Sequence, residues 1–171
     1  MKIYIGGDHA GFELKGKIKI FLTNLGHQVE DMGAFKYDLE DDYPDFIRVV
    51  AEAVAEGFER GRVDTSLSDV RGVIVGGSGQ GEAIAANRVK GARAAVFYAS
   101  RAPIGIVDAE ERRSQDPYEI IRLTRMHNDA NILSIGARFI TEEEAKKAIE
   151  IFLATAFEGG RHLRRVTKIE E

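Results

Sequence analysis

Short apolar runs alternate along the chain with longer segments of helical periodicity, beginning at the first residues. Lys2-Ile3-Tyr4-Ile5-Gly6 reads as a buried strand. Phe12 to Leu25 places Leu14, Ile18, Phe21, Leu22 and Leu25 at helical spacing, and Gly26 ends the run. His27 to Asp31 reads as a second short strand. Pro44 suits the first turn of a helix reaching about Arg60. Arg71 to Val75, Arg93 to Phe97 and Ile132 to Ile135 read as the third, fourth and fifth strands. Thr141 with Glu144 makes a capping box for a helix to about Thr155, and Arg161 to Ile169 predicts a last short helix after Gly159-Gly160. Two stretches break the pattern. Asp64 to Asp69 is short and polar. Arg101 to Gln115 holds a proline, a glycine and the run Asp108-Ala109-Glu110-Glu111-Arg112-Arg113, and reads as a loop or short extra helix at the protein edge.

Strands alternating with helices predict an α/β fold, a parallel sheet covered on both faces. The 171 residues suit one domain spanning 1–171, interrupted only by the stretch near 101–115. A net charge of −4 argues against a general nucleic-acid surface. Arg161, Arg164, Arg165 and Lys168 nonetheless crowd the C-terminal end, which leaves room for local attraction of an anion. With no cysteine, disulfides and thiolate chemistry are excluded. No apolar run approaches the roughly 20 residues that span a bilayer, so no membrane partner is expected. No secretory signal is visible at the N-terminus, and a cytoplasmic location is the expectation.

The richest segment is Val73-Ile74-Val75-Gly76-Gly77-Ser78-Gly79-Gln80-Gly81-Glu82, followed by Ala83-Ile84-Ala85-Ala86-Asn87-Arg88. An apolar β-branched run feeds a glycine-rich turn that opens a helix. Such a turn exposes N–H groups to an anion, and a carboxylate beside an anion hole is what proton abstraction next to a carbonyl requires. A Walker A loop fails because Glu82 stands where its Lys belongs, and a dinucleotide fingerprint fails on glycine spacing. The plainer alternative is a tight strand-to-helix connection in which Glu82 only complements the helix dipole.

Other residues also carry two readings. Asp8 is a helix N-cap or, with His9, a contact to a polar substrate. Tyr43, in Asp41-Asp42-Tyr43-Pro44, meets a sugar or simply packs. Arg161 and Arg165, four apart, share a helix face and match a phosphate dianion, unless they are a solvated basic tail. Arg138 is an ion-pair residue or a third anion contact. His127, with Asn128 and Asp129, closes a loop or belongs to a site; His27 reads as structural and His162 as surface decoration. Four scattered histidines show no ligand spacing, and no metal is expected. Ligands in parallel sheets sit at the carboxyl ends of strands. Asp8, His9 and the glycine loop follow strands, whereas His127-Asn128-Asp129 precedes one. Within a single subunit that piece faces away from the others.

The chain resembles the type B ribose-5-phosphate isomerases, grouped with galactose-6-phosphate isomerase subunits. The resemblance covers nearly the whole chain. It rests on Gly6-Gly7-Asp8-His9-Ala10-Gly11-Phe12, Asp42-Tyr43-Pro44, Gly77-Ser78-Gly79-Gln80-Gly81 and Ile84-Ala85-Ala86-Asn87. It continues through His127-Asn128-Asp129-Ala130-Asn131, Gly136-Ala137-Arg138, and Phe157-Glu158-Gly159-Gly160-Arg161-His162 with Arg165. The resemblance implies a Rossmann-like three-layer sandwich with a five-stranded parallel sheet. It further implies a homodimer or dimer of dimers with active sites between subunits, across which His127 and Arg138 are supplied. The implied reaction interconverts an aldose phosphate and a ketose phosphate with no metal or cofactor. Many members carry a Cys base at the position of Gly76; another subgroup uses a Glu directly after the loop, which Glu82 matches.

The implied roles follow. Glu82 moves the proton between C2 and C1, and Asp8 serves a sugar hydroxyl. His127 helps open the furanose ring. Arg161, Arg165 and His9 hold the phosphate, with Arg138 a further contact and Tyr43 and Asn128 along the sugar. Backbone N–H groups from Gly77, Gly79 and Gly81, with Ser78, stabilise the enediolate. Two rivals remain open at this stage: an isomerase of allose, galactose or tetrose phosphate, for which the 101–115 stretch is the motive, and a non-catalytic sugar-phosphate-binding module.

Overall fold

The computed structural model describes residues 1–63 and 70–171, with side chains described throughout these except at 58–63. In chain order the elements are β1 (Lys2–Gly7), α1 (Phe12–Asn24), β2 (Gln28–Asp31), α2 (Tyr43–Val63), β3 (Val70–Gly76) and α3 (Gln80–Ala86). They continue with β4 (Ala94–Phe97), α4 (Glu119–Asn128), β5 (Ile132–Gly136), α5 (Glu142–Ala154) and α6 (Gly160–Glu170). The polar stretch Asp64 to Asp69 lies outside the described residues.

All strand pairs are parallel, in the order β2-β1-β3-β5-β4. Strand side chains alternate between the two faces of a sheet. Along β3, Val73 and Val75 therefore enter one core layer while Ile74 enters the other. The first layer is completed by Ile18 and Leu22 of α1, Ile121 of α4, and Ile149 and Phe152 of α5. The second is completed by Ile47, Val50 and Val54 of α2 and Ala86 of α3. The result is the three-layer α/β sandwich expected from the alternation. Each fully buried Ile, Val or Phe contributes about 1.5–3 kcal/mol.

Local signals set the element ends. Gly26, at φ +83°, closes α1, with Gly26 N–H on the Thr23 carbonyl and His27 N–H on the Leu22 carbonyl. The Thr141–Glu144 capping box at the start of α5 is present in both directions. One expectation is corrected and one element is new. The N-cap of α1 is Gly11 rather than Asp8, because Asp8 Oδ1 instead accepts the Gly11 N–H at 3.2 Å within the preceding turn. α4 has no counterpart among the pattern-derived elements. Of the two forms expected for the 101–115 stretch, the loop is the one present, an irregular excursion closed by an antiparallel bridge between Ile106 and Arg113.

The chain runs from β1 to the β2 edge and then back across β1 to β3, which places a topological switch point between β1 and β3. The crevice outside the strand ends at such a point is where this architecture binds ligands.

Candidate active site

Three strand ends build a pocket at that point. β1 delivers Asp8 and His9, β3 delivers the loop Gly77–Gly79 leading into α3, and β5 delivers Arg138. Tyr43, the first residue of α2, closes one side. The cavity measures about 410 Å³ and includes Asp8, His9, Ser78, Gly81, Glu82 and Arg138 in its wall. Gly79 adopts φ +76° as the residue preceding α3, a left-handed conformation that suits glycine. Its carbonyl accepts the Ser134 Oγ–H at 2.7 Å, which pins the loop to β5. Ser78 Oγ accepts the Gln80 N–H at 3.2 Å. The Arg138 guanidinium lies against Gly77, and Arg138 N–H donates to the Gly77 carbonyl at 3.1 Å.

Glu82 is buried at 4 % exposure, with its carboxylate packed on Gly76. Burial raises its pKa above the ordinary carboxylate value, and the Asp8 charge adds to the rise. Its own N–H, that of Gly79 and the Arg138 charge oppose the shift but do not cancel it. A carboxylate so destabilised is a stronger base than one in water. His9 stands beside Asp8. Its Nδ1 lies 2.6 Å from Asp41 Oδ1, which also accepts the His9 main-chain N–H at 3.2 Å. The Asp41 contact raises the His9 pKa, helped by the Asp8 charge and opposed by burial and by Arg138. Asp41 was not among the sequence candidates for a functional role. Nothing in a linear reading pairs it with a residue 32 positions away.

The remaining candidates gather elsewhere. His127 lies near the C-terminus of α4, ahead of β5, while Arg138 follows β5. The five residues of β5 alone separate those edges by about 16 Å. His127 stacks on His162 with ring centroids 4.2 Å apart and planes at 5°. Glu158 Oε2 sits 3.8 Å from His127 Nε2 and 3.6 Å from His162 Nε2. Arg161 Nε–H points at His162 Nε2 from 3.3 Å. Burial first, and then the His127, Arg161 and Arg165 charges, lower the His162 pKa. His162 is thus 5 % exposed rather than surface decoration, because its α6 face packs towards α4. The ligand atoms of His127, Glu158 and His162 fall within 4.8 Å of one another. A cation there would displace the Arg161 N–H from the His162 lone pair, and parallel rings do not converge on one ion. Asn128 ends α4 and faces a separate cavity beside Asn87 and Arg93.

The sequence-derived site therefore divides in two. Asp8, His9, Tyr43, Gly77, Ser78, Gly81, Glu82 and Arg138 share one pocket, with Gly79 in its loop. His127, Arg161 and Arg165 belong to the other end. This corrects the expectation that Arg138 crosses an interface, because as the second residue after β5 it reaches the pocket of its own chain. It also separates Arg161 and Arg165 from His9.

A family described as Ribose/Galactose Isomerase matches residues 3–103 and 115–169. The chain belongs to that family. The match leaves residues 104–114 between its two segments, inside the stretch that breaks the sequence pattern. Ribose-5-phosphate isomerase B of Mycolicibacterium paratuberculosis is 38 % identical over 173 residues, covering 100 % of this chain and 91 % of the relative. Among solved structures, ribose-5-phosphate isomerase B of Mycoplasma genitalium with bound ribulose-5-phosphate superposes with a TM-score of 0.79 at 34 % identity, covering 99 % of this chain and 93 % of the other. The Thermotoga maritima ribose 5-phosphate isomerase gives a TM-score of 0.76 at 37 % identity, covering 99 % and 97 %.

Proposed function

We propose that the protein interconverts ribose 5-phosphate and ribulose 5-phosphate through an enediolate, at sites completed by a second copy of the chain. The observation that carries this reading is the Glu82 carboxyl, buried against Gly76 with a raised pKa beside Asp8 and Arg138. Glu82 takes the C2 proton of the open aldehyde. The C2–H electron pair moves to form the C1–C2 double bond, and the carbonyl oxygen becomes the enediolate oxygen. The loop N–H groups, Ser78 and Arg138 meet that charge; removing one such donor typically costs about 3–4 kcal/mol of barrier. Glu82 then returns the proton to C1, while Asp8 takes the proton of the C2 hydroxyl and passes it to the C1 oxygen, leaving the ketone at C2. No metal takes part in this scheme.

Ring opening and phosphate binding need His127, Arg161 and Arg165, which lie at the other end of the same chain. A second copy supplies them, as the resemblance implies for a homodimer, and joins them to His9 and Arg138. Asp41 raises the His9 pKa and so favours the protonated ring, which complements the phosphate dianion.

The bound ribulose-5-phosphate of the Mycoplasma genitalium relative supports this substrate. Asp108, Glu110 and Arg112, which line the Arg161 end, favour a second reading in which the sugar is larger or smaller than a pentose. The test is an isomerase assay on EDTA-treated enzyme with ribose 5-phosphate beside allose, galactose and tetrose phosphates. Fastest turnover with ribose 5-phosphate is expected. A folded protein that turns over only another sugar phosphate, or none, overturns the assignment.

A further inference from the structure

The segment that the family match leaves out is an organised hairpin aimed at an arginine. Val107 N–H donates to the Arg112 carbonyl at 2.8 Å, and Ile106 pairs with Arg113. Asp108 accepts from Arg112 N–H at 3.0 Å and from Arg112 Nε at 2.8 Å, closing the tip. Arg112 then pairs with Glu119 at 2.7 Å, tying the tip to the start of α4. Between these anchors Glu110 projects towards Arg161, its Oε2 lying 3.7 Å from Arg161 Nη2. Both residues line one cavity of about 620 Å³, with His162 and Glu158 in its wall.

Two features say that this contact is made to be broken. Glu110 is 74 % exposed, so screening by water keeps the pair weak. The hairpin's own apolar residues stay out of the core, with Ile104 95 % exposed and Ile106 56 % exposed. Its tip is held by charged contacts, and no residue of 104–114 belongs to the buried core. Segments held in this way lie at the low-stability end of a fold.

We propose that Glu110 is a built-in competitor for the substrate's phosphate at Arg161. The carboxylate and the phosphate are alternative anions for one guanidinium. A bound phosphate must displace the carboxylate, so the hairpin lowers affinity for every anion at this guanidinium by the same factor. This inference rests on the reading of Arg161 as a phosphate ligand.

The test measures kcat, KM for ribose 5-phosphate and the inhibition constant of inorganic phosphate in four proteins: wild type, Glu110→Gln, Arg161→Ala and the double variant. Glu110→Gln is expected to lower KM and the phosphate inhibition constant about two- to fivefold, the span of exposed ion pairs, with kcat unchanged. In the Arg161→Ala background the same substitution is expected to change neither. An unchanged or raised KM in Glu110→Gln, with Arg161→Ala still weakening binding, overturns the competitor and leaves the phosphate reading standing. An equal gain in the Arg161→Ala background also overturns it, because the effect is then one of general charge. An unchanged KM in Arg161→Ala removes the phosphate ligand itself, and this inference with it.

Discussion

The Glu82 carboxylate occupies the space that a side chain on Gly76 would take. A Cβ built on Gly76 falls 1.7 Å from Glu82 Oε1 and 2.1 Å from the carboxyl carbon. A cysteine base at that position, as the resemblance implies for many family members, and a glutamate base in this position therefore exclude each other. The glycine is as much a part of the site as the acid.

Gly76→Ala is accordingly expected to displace the carboxylate and lower kcat at least about tenfold, because small misplacement of a reacting group is costly. Substrate affinity should change little. Steady-state kinetics beside a thermal melt check this; unchanged kcat in a folded variant would show that the carboxylate is not confined to that spot.

Burial that strengthens Glu82 as a base should weaken the fold. Its folded pKa is raised, so protonation favours the folded state, and that stabilisation is lost as pH rises through the folded value. At pH 7.5 Glu82→Gln is expected to melt at or a few degrees above the wild type while losing turnover. A fall of several degrees contradicts the electrostatic account.

The pH profile should show both shifted groups. The proposed mechanism requires ionised Glu82, so the acid limb of kcat/KM is expected above the ordinary carboxylate pKa of about 4.3. His9 must be protonated to attract phosphate, and Asp41 holds its pKa above the usual value of about 6.5. KM should therefore climb as pH rises through that raised value. Asp41→Asn should move the climb to lower pH. Superimposable KM profiles for wild type and Asp41→Asn would remove Asp41 from this role.

The proposed division of the site between two chains has a direct consequence. Glu82→Gln and Arg165→Ala are each expected to be impaired alone, the first in kcat and the second in KM. After subunit exchange, a mixed dimer carries one intact site and one doubly altered site. A one-to-one mixture should recover about a quarter of wild-type activity under random pairing. No recovery, with exchange verified by mass, contradicts a shared site.

Much of this molecule was legible in the chain. β3 and the following glycines marked the centre of the sheet, since a fully buried parallel strand reads as a continuous apolar run. The pairing of Thr141 with Glu144 marked α5. The helix α4 was obscured because only part of one face is buried, with Ile120 half exposed and Arg125 buried among polar partners. Asp41 and Glu158 were missed as partners of His9 and His127 because those contacts depend on tertiary folding. The balance at Glu82 was also beyond the sequence, which shows the nearby donors but not the depth of burial that outweighs them.

The central claim is tested most directly by single-site kinetics of Glu82→Gln beside the wild type on EDTA-treated enzyme, with ribose 5-phosphate binding measured separately from turnover. Binding within a fewfold of the wild type and turnover lowered at least about a hundredfold is the predicted result. Near-normal turnover in the variant would contradict it and remove Glu82 as the base.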